Sequence, residues 1–216
     1  KSFQQHLIAV NGVEINVSKG GSGPALLLLH GNPQNHMMWH KVADSLAERF
    51  TVIAPDLRGY GNSSKPKGTA EHENYSKRVM ARDQLEVMNY FGFDTFFLVG
   101  HDRGGRVAHR LAVDHPQNVR KLVVLDIAPT LAMYENTSMG FARDYYHWFF
   151  LIQPAPYPET LIQSNPTLFL KSLLGGTELP PSWMDEQAFS AYLRLMQNPD
   201  NIHGMCEHYR ASAGID

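Results

Sequence analysis

Four continuous apolar runs, each ending at a turn, restrict this chain more than any other feature. They are "ALLLL" in PALLLLHG, then TVIAP, TFFLVG and KLVVLDIAP. A strand with one wet face alternates apolar and polar residues. Uninterrupted runs of this length suit strands covered on both faces, the usual state of a parallel sheet. Segments of helical periodicity lie between them. Trp39 to Phe50 predicts a helix with Val42, Leu46 and Phe50 on one face. Ser76 to Phe91 predicts a second, with Met80, Val87, Met88 and Phe91 at its period and Gly92 as C-cap. A third carries Val107, Ala108, Leu111 and Ala112 inward and stops at His115-Pro116. Ahead of these, QHLIAV and VEINVSKGG are joined by Asn11-Gly12, a strong hairpin signal. Strict alternation of strand and helix implies an α/β fold with a mostly parallel sheet flanked by helices.

After Pro129 the pattern changes. Residues 130–216 are aromatic, methionine-rich and helical in period, broken by QPAPYPE and GGTELPPSW, with no strand-like run. The expected organisation is a core over 1–129 and a helical cap over 130–216, inserted after the strand ending at Asp126. A length of 216 residues suits one domain with such an insertion. The net charge of −2 supplies no basic face, so no nucleic-acid partner is expected. No apolar stretch reaches the ~18 residues of a spanning helix, so no membrane partner is expected either. A single cysteine, Cys206, cannot form an internal disulfide, which predicts a reducing, cytoplasmic compartment.

The third apolar run ends in Gly100-His101-Asp102-Arg103-Gly104. A strand before it and a helix after it make this the G-x-nucleophile-x-G elbow of α/β hydrolases, with aspartate where serine is commoner. His30-Gly31-Asn32-Pro33 follows an earlier strand, and in such hydrolases that loop supplies a backbone N–H of the anion hole, here at Asn32. The competing reading of Asp102 is a helix N-cap, a common role for the residue. It leaves the paired glycines and the adjacent arginines unexplained. The loop RGYGNSSKPKG is not a Walker motif, its Gly59 and Gly61 read as turn formers, and Asp56 beside it reads as a structural loop residue. No cofactor and no metal site is called for.

A carboxylate nucleophile narrows the chemistry. It is ionised at neutral pH and needs no base for its first attack. Attack on an ester would give an anhydride, to little advantage. Attack on a saturated carbon bearing a leaving group gives an alkyl ester on the enzyme, which activated water can split. The substrates implied are alkyl halides or epoxides. Arg103 follows the nucleophile and Arg106 lies three residues on, on the same helical face. The guanidinium fork matches a carboxylate, so the pair predicts a small anionic substrate. For each arginine the alternatives are a solvent-facing side chain or a structural ion pair.

At this point HGNPQNHMMWHKVADSLAERFTVIAPDLRGYGNSSKP, VGHDRGGRVAHRLAVDHP, VVLDIAPT and YYHWFFLIQPAPYPE together resemble one family. It is the fluoroacetate and other haloacetate dehalogenases, built on the α/β-hydrolase fold, and the resemblance runs along essentially the whole chain. It implies hydrolysis of a small 2-haloacid such as fluoroacetate to glycolate and halide through an aspartyl ester. Asp102 would be the nucleophile, Arg103 and Arg106 the carboxylate clamp, and Asp126 the acid that orients the catalytic histidine. His147, Trp148 and Tyr209 would bind the leaving halide. Their imidazole N–H, indole N–H and phenol O–H are all donors, although an aromatic stretch is more often plain core. A homodimer would be consistent with the family.

In this family further sheet strands and a C-terminal histidine follow the cap. The resemblance therefore implies about two βα units of ~30 residues each beyond Asp216, the last residue of this sequence. His30, His101, His109, His115, His147, His203 and His208 sit in other contexts, so the hydrolytic base is expected outside them and the 216-residue chain alone is not expected to turn over. Two further readings stand. An epoxide hydrolase shares the Asp elbow and needs tyrosines such as Tyr145, Tyr146 or Tyr209 to protonate oxygen; a charged residue after the nucleophile weighs against it. A non-catalytic binder of small carboxylates would use the clamp alone.

Overall fold

The computed structural model describes residues 2–175 and 180–216. Six strands form one sheet in the order β1-β2-β4-β3-β5-β6. β1 (Gln4–Val10) and β2 (Val13–Gly21) are the antiparallel hairpin. Its turn residues Asn11 (φ 45°) and Gly12 (φ 76°) are both left-handed, the type I′ geometry that Asn-Gly favours. β4 (Thr51–Pro55) lies antiparallel to β2 and parallel to β3 (Ala25–Leu29). β5 (Phe96–His101) runs parallel between β3 and β6 (Val119–Leu125).

The uninterrupted apolar runs have the predicted cause. Along β3, Leu27 and Leu29 enter the larger core with Ile15, Ile53, Met80, Met88 and Leu98. Leu26 and Leu28 enter a second cluster with Trp39, Ala47 and Val52. Successive side chains point to opposite faces, so both sets must be apolar when both faces are covered. β6 differs. Val123, Val124 and Leu125 are exposed, and among the described residues no strand pairs with its outer edge.

α2 (Lys77–Tyr90) begins where Ser76 Oγ accepts the Val79 N–H at 3.2 Å and closes at Gly92 (φ 78°). α3 (Arg103–Asp114) springs from the elbow with Val107, Ala108 and Leu111 buried. The helix expected over Trp39–Phe50 is shorter and divided. A 3₁₀ turn at His36–Trp39 precedes α1 (His40–Leu46), and a reverse turn brings in Phe50. The tighter first turn rotates the inward stripe onto Trp39, Leu46 and Ala47, leaving Val42 44% exposed.

The described residues beyond 129 are helical: α4 (Thr130–Glu135), α5 (Met139–Asp144), α6 (Tyr146–Leu151), α7 (Tyr157–Ser164), α8 (Pro166–Leu174), α9 (Glu186–Met196) and α10 (Pro199–Gly214). Part of the GGTELPPSW break lies outside the described residues. α10 is the spine of this layer. Arg210 donates to Glu159 Oε1 on α7 at 2.7 Å and to Glu207 Oε1 at 2.8 Å. Glu207 Oε2 lies 2.7 Å from His72 Nδ1, tying α10 to the loop ahead of α2. A buried network of this kind fixes position more than it adds stability. Among the described residues no helix is long and apolar enough to cross a membrane.

Candidate active site

The chemistry-bearing residues follow the carboxyl ends of the parallel strands, where open α/β sheets form their crevice. At the end of β5 the two glycines leave no alternative residue. A Cβ on Gly104 would lie 2.3 Å from the His30 carbonyl oxygen and 2.5 Å from that of Leu29. A Cβ on Gly100 would lie 2.5 Å from the Gly104 carbonyl oxygen. These are backbone contacts, which cannot yield. The chain turns sharply enough to hold Asp102 at φ 46°, ψ −117°, a strained conformation for a non-glycine residue. Asp102 occupies the N-cap position of α3, yet its side chain makes no capping bond. Its Oδ2 instead accepts the Asn32 backbone N–H at 2.9 Å. Capping does not account for Asp102.

The loop carrying Asn32 is held from beneath. His30 bonds the Gly31 carbonyl through Nδ1 at 2.9 Å and accepts the Leu57 N–H at Nε2, also at 2.9 Å. Burial lowers its pKa to about 4, so it stays neutral in this bridging role. The Tyr60 hydroxyl donates to Asn32 Oδ1 at 3.2 Å, and its ring packs edge-on against His30 and His208. Asp56 accepts from His36 N–H, Asn16 Nδ2 and Asn62 N–H, each at 2.9 Å. Burial pushes its carboxyl up, but His36 and these donors hold it at about 2. It is fully engaged in pinning loops.

Arg103 is fully buried. Its guanidinium carbon lies 3.5 Å from the Tyr209 ring centroid and 5.1 Å from that of Trp148. Arg106 is also buried, 4.8 Å from the Trp148 centroid. Its Nη1 donates to the Ala128 carbonyl at 2.7 Å and to Thr130 Oγ1 at 2.6 Å. Burial, and after it the charge of Arg103, lowers its pKa to about 10. Neither side chain faces solvent, and among the described residues neither has an ion-pair partner. Nε and one terminal nitrogen of Arg103 and Nε of Arg106 are buried with no hydrogen-bond partner. Leaving such donors unmatched costs about 1–3 kcal/mol each, more because they are charged.

Helices beyond Pro129 pack against both arginines. His147 and Trp148 on α6 meet Tyr209 on α10, with ring centroids 5.9 Å and 6.3 Å apart. Burial lowers His147 to about 4, with the Arg103 charge acting the same way and Asp102 against it, so the imidazole is neutral. Burial raises Tyr209 to about 12 and keeps its phenol protonated. The three residues also belong to one aromatic cluster with Tyr134, Phe141 and Tyr145, so the rings that face the arginines are also packed core. Tyr145 and Tyr146 are largely exposed, and the Tyr146 hydroxyl is engaged with Ser172 at 2.6 Å. Asp126 (φ 53°) stands exposed just past β6, and among the described residues no histidine pairs with it.

Residues 24–213 match the α/β hydrolase fold family, and the chain belongs to it; it is a hydrolase of the α/β family. Within that family the resemblance to the fluoroacetate dehalogenases is borne out. The chain is 51% identical to fluoroacetate dehalogenase of Burkholderia sp over 100% of its length and 71% of that protein. It is 35% identical to a soluble epoxide hydrolase of Corynebacterium sp. (strain C12), over 94% of this chain and 71% of that one. The solved structure of ALR0039 from Nostoc sp PCC 7120, a candidate α/β hydrolase, is 54% identical with a TM-score of 0.96, covering 100% of this chain and 74% of that one.

Three groups escaped the sequence reading. Tyr60 sits in RGYG, where only the turn glycines drew notice. The Tyr134 hydroxyl is buried near both arginines without a partner among the described residues, and their charges act against the rise that burial gives its pKa. Ser212 lies one helical turn beyond Tyr209 and accepts from Arg103 Nη1 at 3.0 Å. The i, i+3 spacing from Tyr209 is the signal that could have found it.

Proposed function

We propose that the chain carries the site for hydrolytic dehalogenation of a small 2-haloacid such as fluoroacetate, giving glycolate and halide. The observation that carries this reading is the pair of buried arginines beside Asp102, with unmatched donors and no ion-pair partner. A small carboxylate would meet those donors. Its α-carbon then lies near Asp102, whose Oδ attacks it. A C–O bond forms, the C–F bond breaks, and fluoride leaves with the electron pair toward His147, Trp148 and Tyr209. The resulting ester is split by water at its carboxyl carbon, restoring the aspartate and releasing glycolate with a proton. Asp126 is assigned to hold the histidine that activates this water. The Asn32 N–H stabilises the oxyanion formed on the ester during that attack.

The Corynebacterium relative favours a second reading, opening of an epoxide by the same aspartate, with Tyr209 or Tyr134 as proton donor. An epoxide carries no charge to satisfy the arginines. Incubating the chain with fluoroacetate and reading its intact mass separates the readings. A carboxymethyl ester on Asp102, with one fluoride released per adduct, is expected even where water attack is slow. In a turnover in heavy-oxygen water, the first glycolate should be unlabelled. Diol formation from an epoxide with no fluoride release would overturn the proposal.

A further inference from the structure

The Ser212 hydroxyl has one donor and two acceptor sites, and the structure fills all three. It donates to the His208 carbonyl one turn back at 3.0 Å. It accepts from Arg103 Nη1 at 3.0 Å and from Lys77 Nζ at 2.8 Å. Lys77 is itself fixed, donating to Asp216 Oδ2 at 3.0 Å and reaching the His208 carbonyl at 3.3 Å. Serine, lysine and arginine are all buried. The hydroxyl therefore cannot rotate away, and the Arg103 fork is held at one corner while the Tyr209 ring centroid lies 3.5 Å from its guanidinium carbon.

We propose that Ser212 is a positioning residue for the carboxylate clamp, a saturated neutral hydroxyl that fixes the Arg103 fork without neutralising its charge. The proposal rests on the reading of Arg103 as a carboxylate ligand. An aspartate or glutamate in this position would hold the guanidinium as firmly, but it would occupy the charge that an anionic substrate must find. A hydroxyl spends one N–H and leaves Nε and Nη2 of Arg103 open. Because α10 carries both Tyr209 and Ser212, one helix sets the halide wall and the orientation of the clamp together. Ser212 touches neither substrate nor leaving group. Its effect is to keep the fork planar to the carboxylate, which makes selectivity for acids over amides its signature.

The test compares Ser212→Ala, Ser212→Thr and Ser212→Val in the full chain. Thr and Val match in volume and differ by the hydroxyl, so this pair decides if Ser212→Ala does not fold. Calorimetric binding of glycolate needs no turnover and reads the clamp directly. Losing the hydroxyl should weaken glycolate about tenfold, the weight of one hydrogen bond, while Thr stays near wild type. In single-turnover ester formation from chloroacetate the same factor should appear in the half-saturating concentration with the limiting rate little changed, and chloroacetamide should not respond. Glycolate binding that tracks the hydroxyl, in a protein releasing no halide, would support the clamp and refute the dehalogenase reading. Equal glycolate affinity for Thr and Val, or equal losses on acid and amide, would overturn the role of Ser212.

Discussion

The elbow carries the backbone of Arg103 while helices beyond Pro129 surround its guanidinium, and the two sides are built differently. At the elbow the backbone decides. Gly104 is pressed against the carbonyls of Leu29 and His30, Gly100 against that of Gly104, and Asp102 is fixed at positive φ. Opposite the elbow, side chains decide. Trp148, Tyr209 and His147 are placed by packing among aromatic neighbours and by the Arg210 network that anchors α10. The backbone-built half locates Asp102 within the tolerance of a peptide unit. On the proposed function, the side-chain-built half would set what Asp102 can act on. A substitution in the first should remove the site, whereas one in the second should change its preferences.

The largest expected effect breaks the elbow. Gly104→Ala places a methyl inside contact distance of two backbone carbonyl oxygens, of the last residue of β3 and the residue after it. We expect a loss of at least about 3 kcal/mol of stability, read by denaturant unfolding, together with loss of the Asp102 ester. A folded, ester-forming Gly104→Ala protein would show that the elbow has slack the contacts deny.

A cap substitution should instead discriminate. Trp148→Phe keeps the ring and removes the N–H. Fluoride is small and strongly hydrated and needs donors to leave in a dry pocket, where one donor is typically worth about 2.7–4 kcal/mol. Ester formation from fluoroacetate should slow by about 10²-fold or more, and from chloroacetate far less. Equal slowing would make Trp148 packing alone.

Arg103 lies where the two halves meet, and Arg103→Lys sharpens the division. Lysine keeps the charge but loses both the fork and the stacking on Tyr209. The expected loss is about 2 kcal/mol in the second-order rate of ester formation from a haloacetate, with an uncharged haloacetamide largely spared. Equal losses on both would assign Arg103 to the scaffold.

What was legible in the sequence follows the same division. The strands, the hairpin at Asn11-Gly12, the elbow and the placement of Arg103 and Arg106 all follow from local pattern, because backbone geometry demands particular residues at particular spacings. Trp148, His147 and Tyr209 came only through family resemblance, since an aromatic stretch reads the same whether it lines a pocket or fills a core. Here it does both. Ser212 and Lys77 are 135 residues apart and meet on one hydroxyl, a contact no local pattern encodes. Val42 failed for a smaller reason: a 3₁₀ turn ahead of α1 rotated the stripe on which it was counted.

Acid should draw the finest distinction between the two halves. His30 beneath the elbow and His147 in the cap wall are both lowered by burial to about 4. Unfolded, each returns to about 6.5 and takes up a proton that the native state refuses. Stability therefore falls as pH drops through 6.5 and keeps falling to about 4. Asp56 and Glu159, held at about 2, contribute stability that is lost only below their unfolded values near 4, so over most of this window the histidines dominate. Between pH 7 and 5.5 each histidine should account for about 1 kcal/mol, read as the change in unfolding free energy. His147→Asn should remove one such share and leave that of His30, which its two backbone hydrogen bonds hold in place. A pH dependence unchanged by His147→Asn would mean that the cap histidine is protonated in the native state, and its role as a neutral halide donor would fail with it.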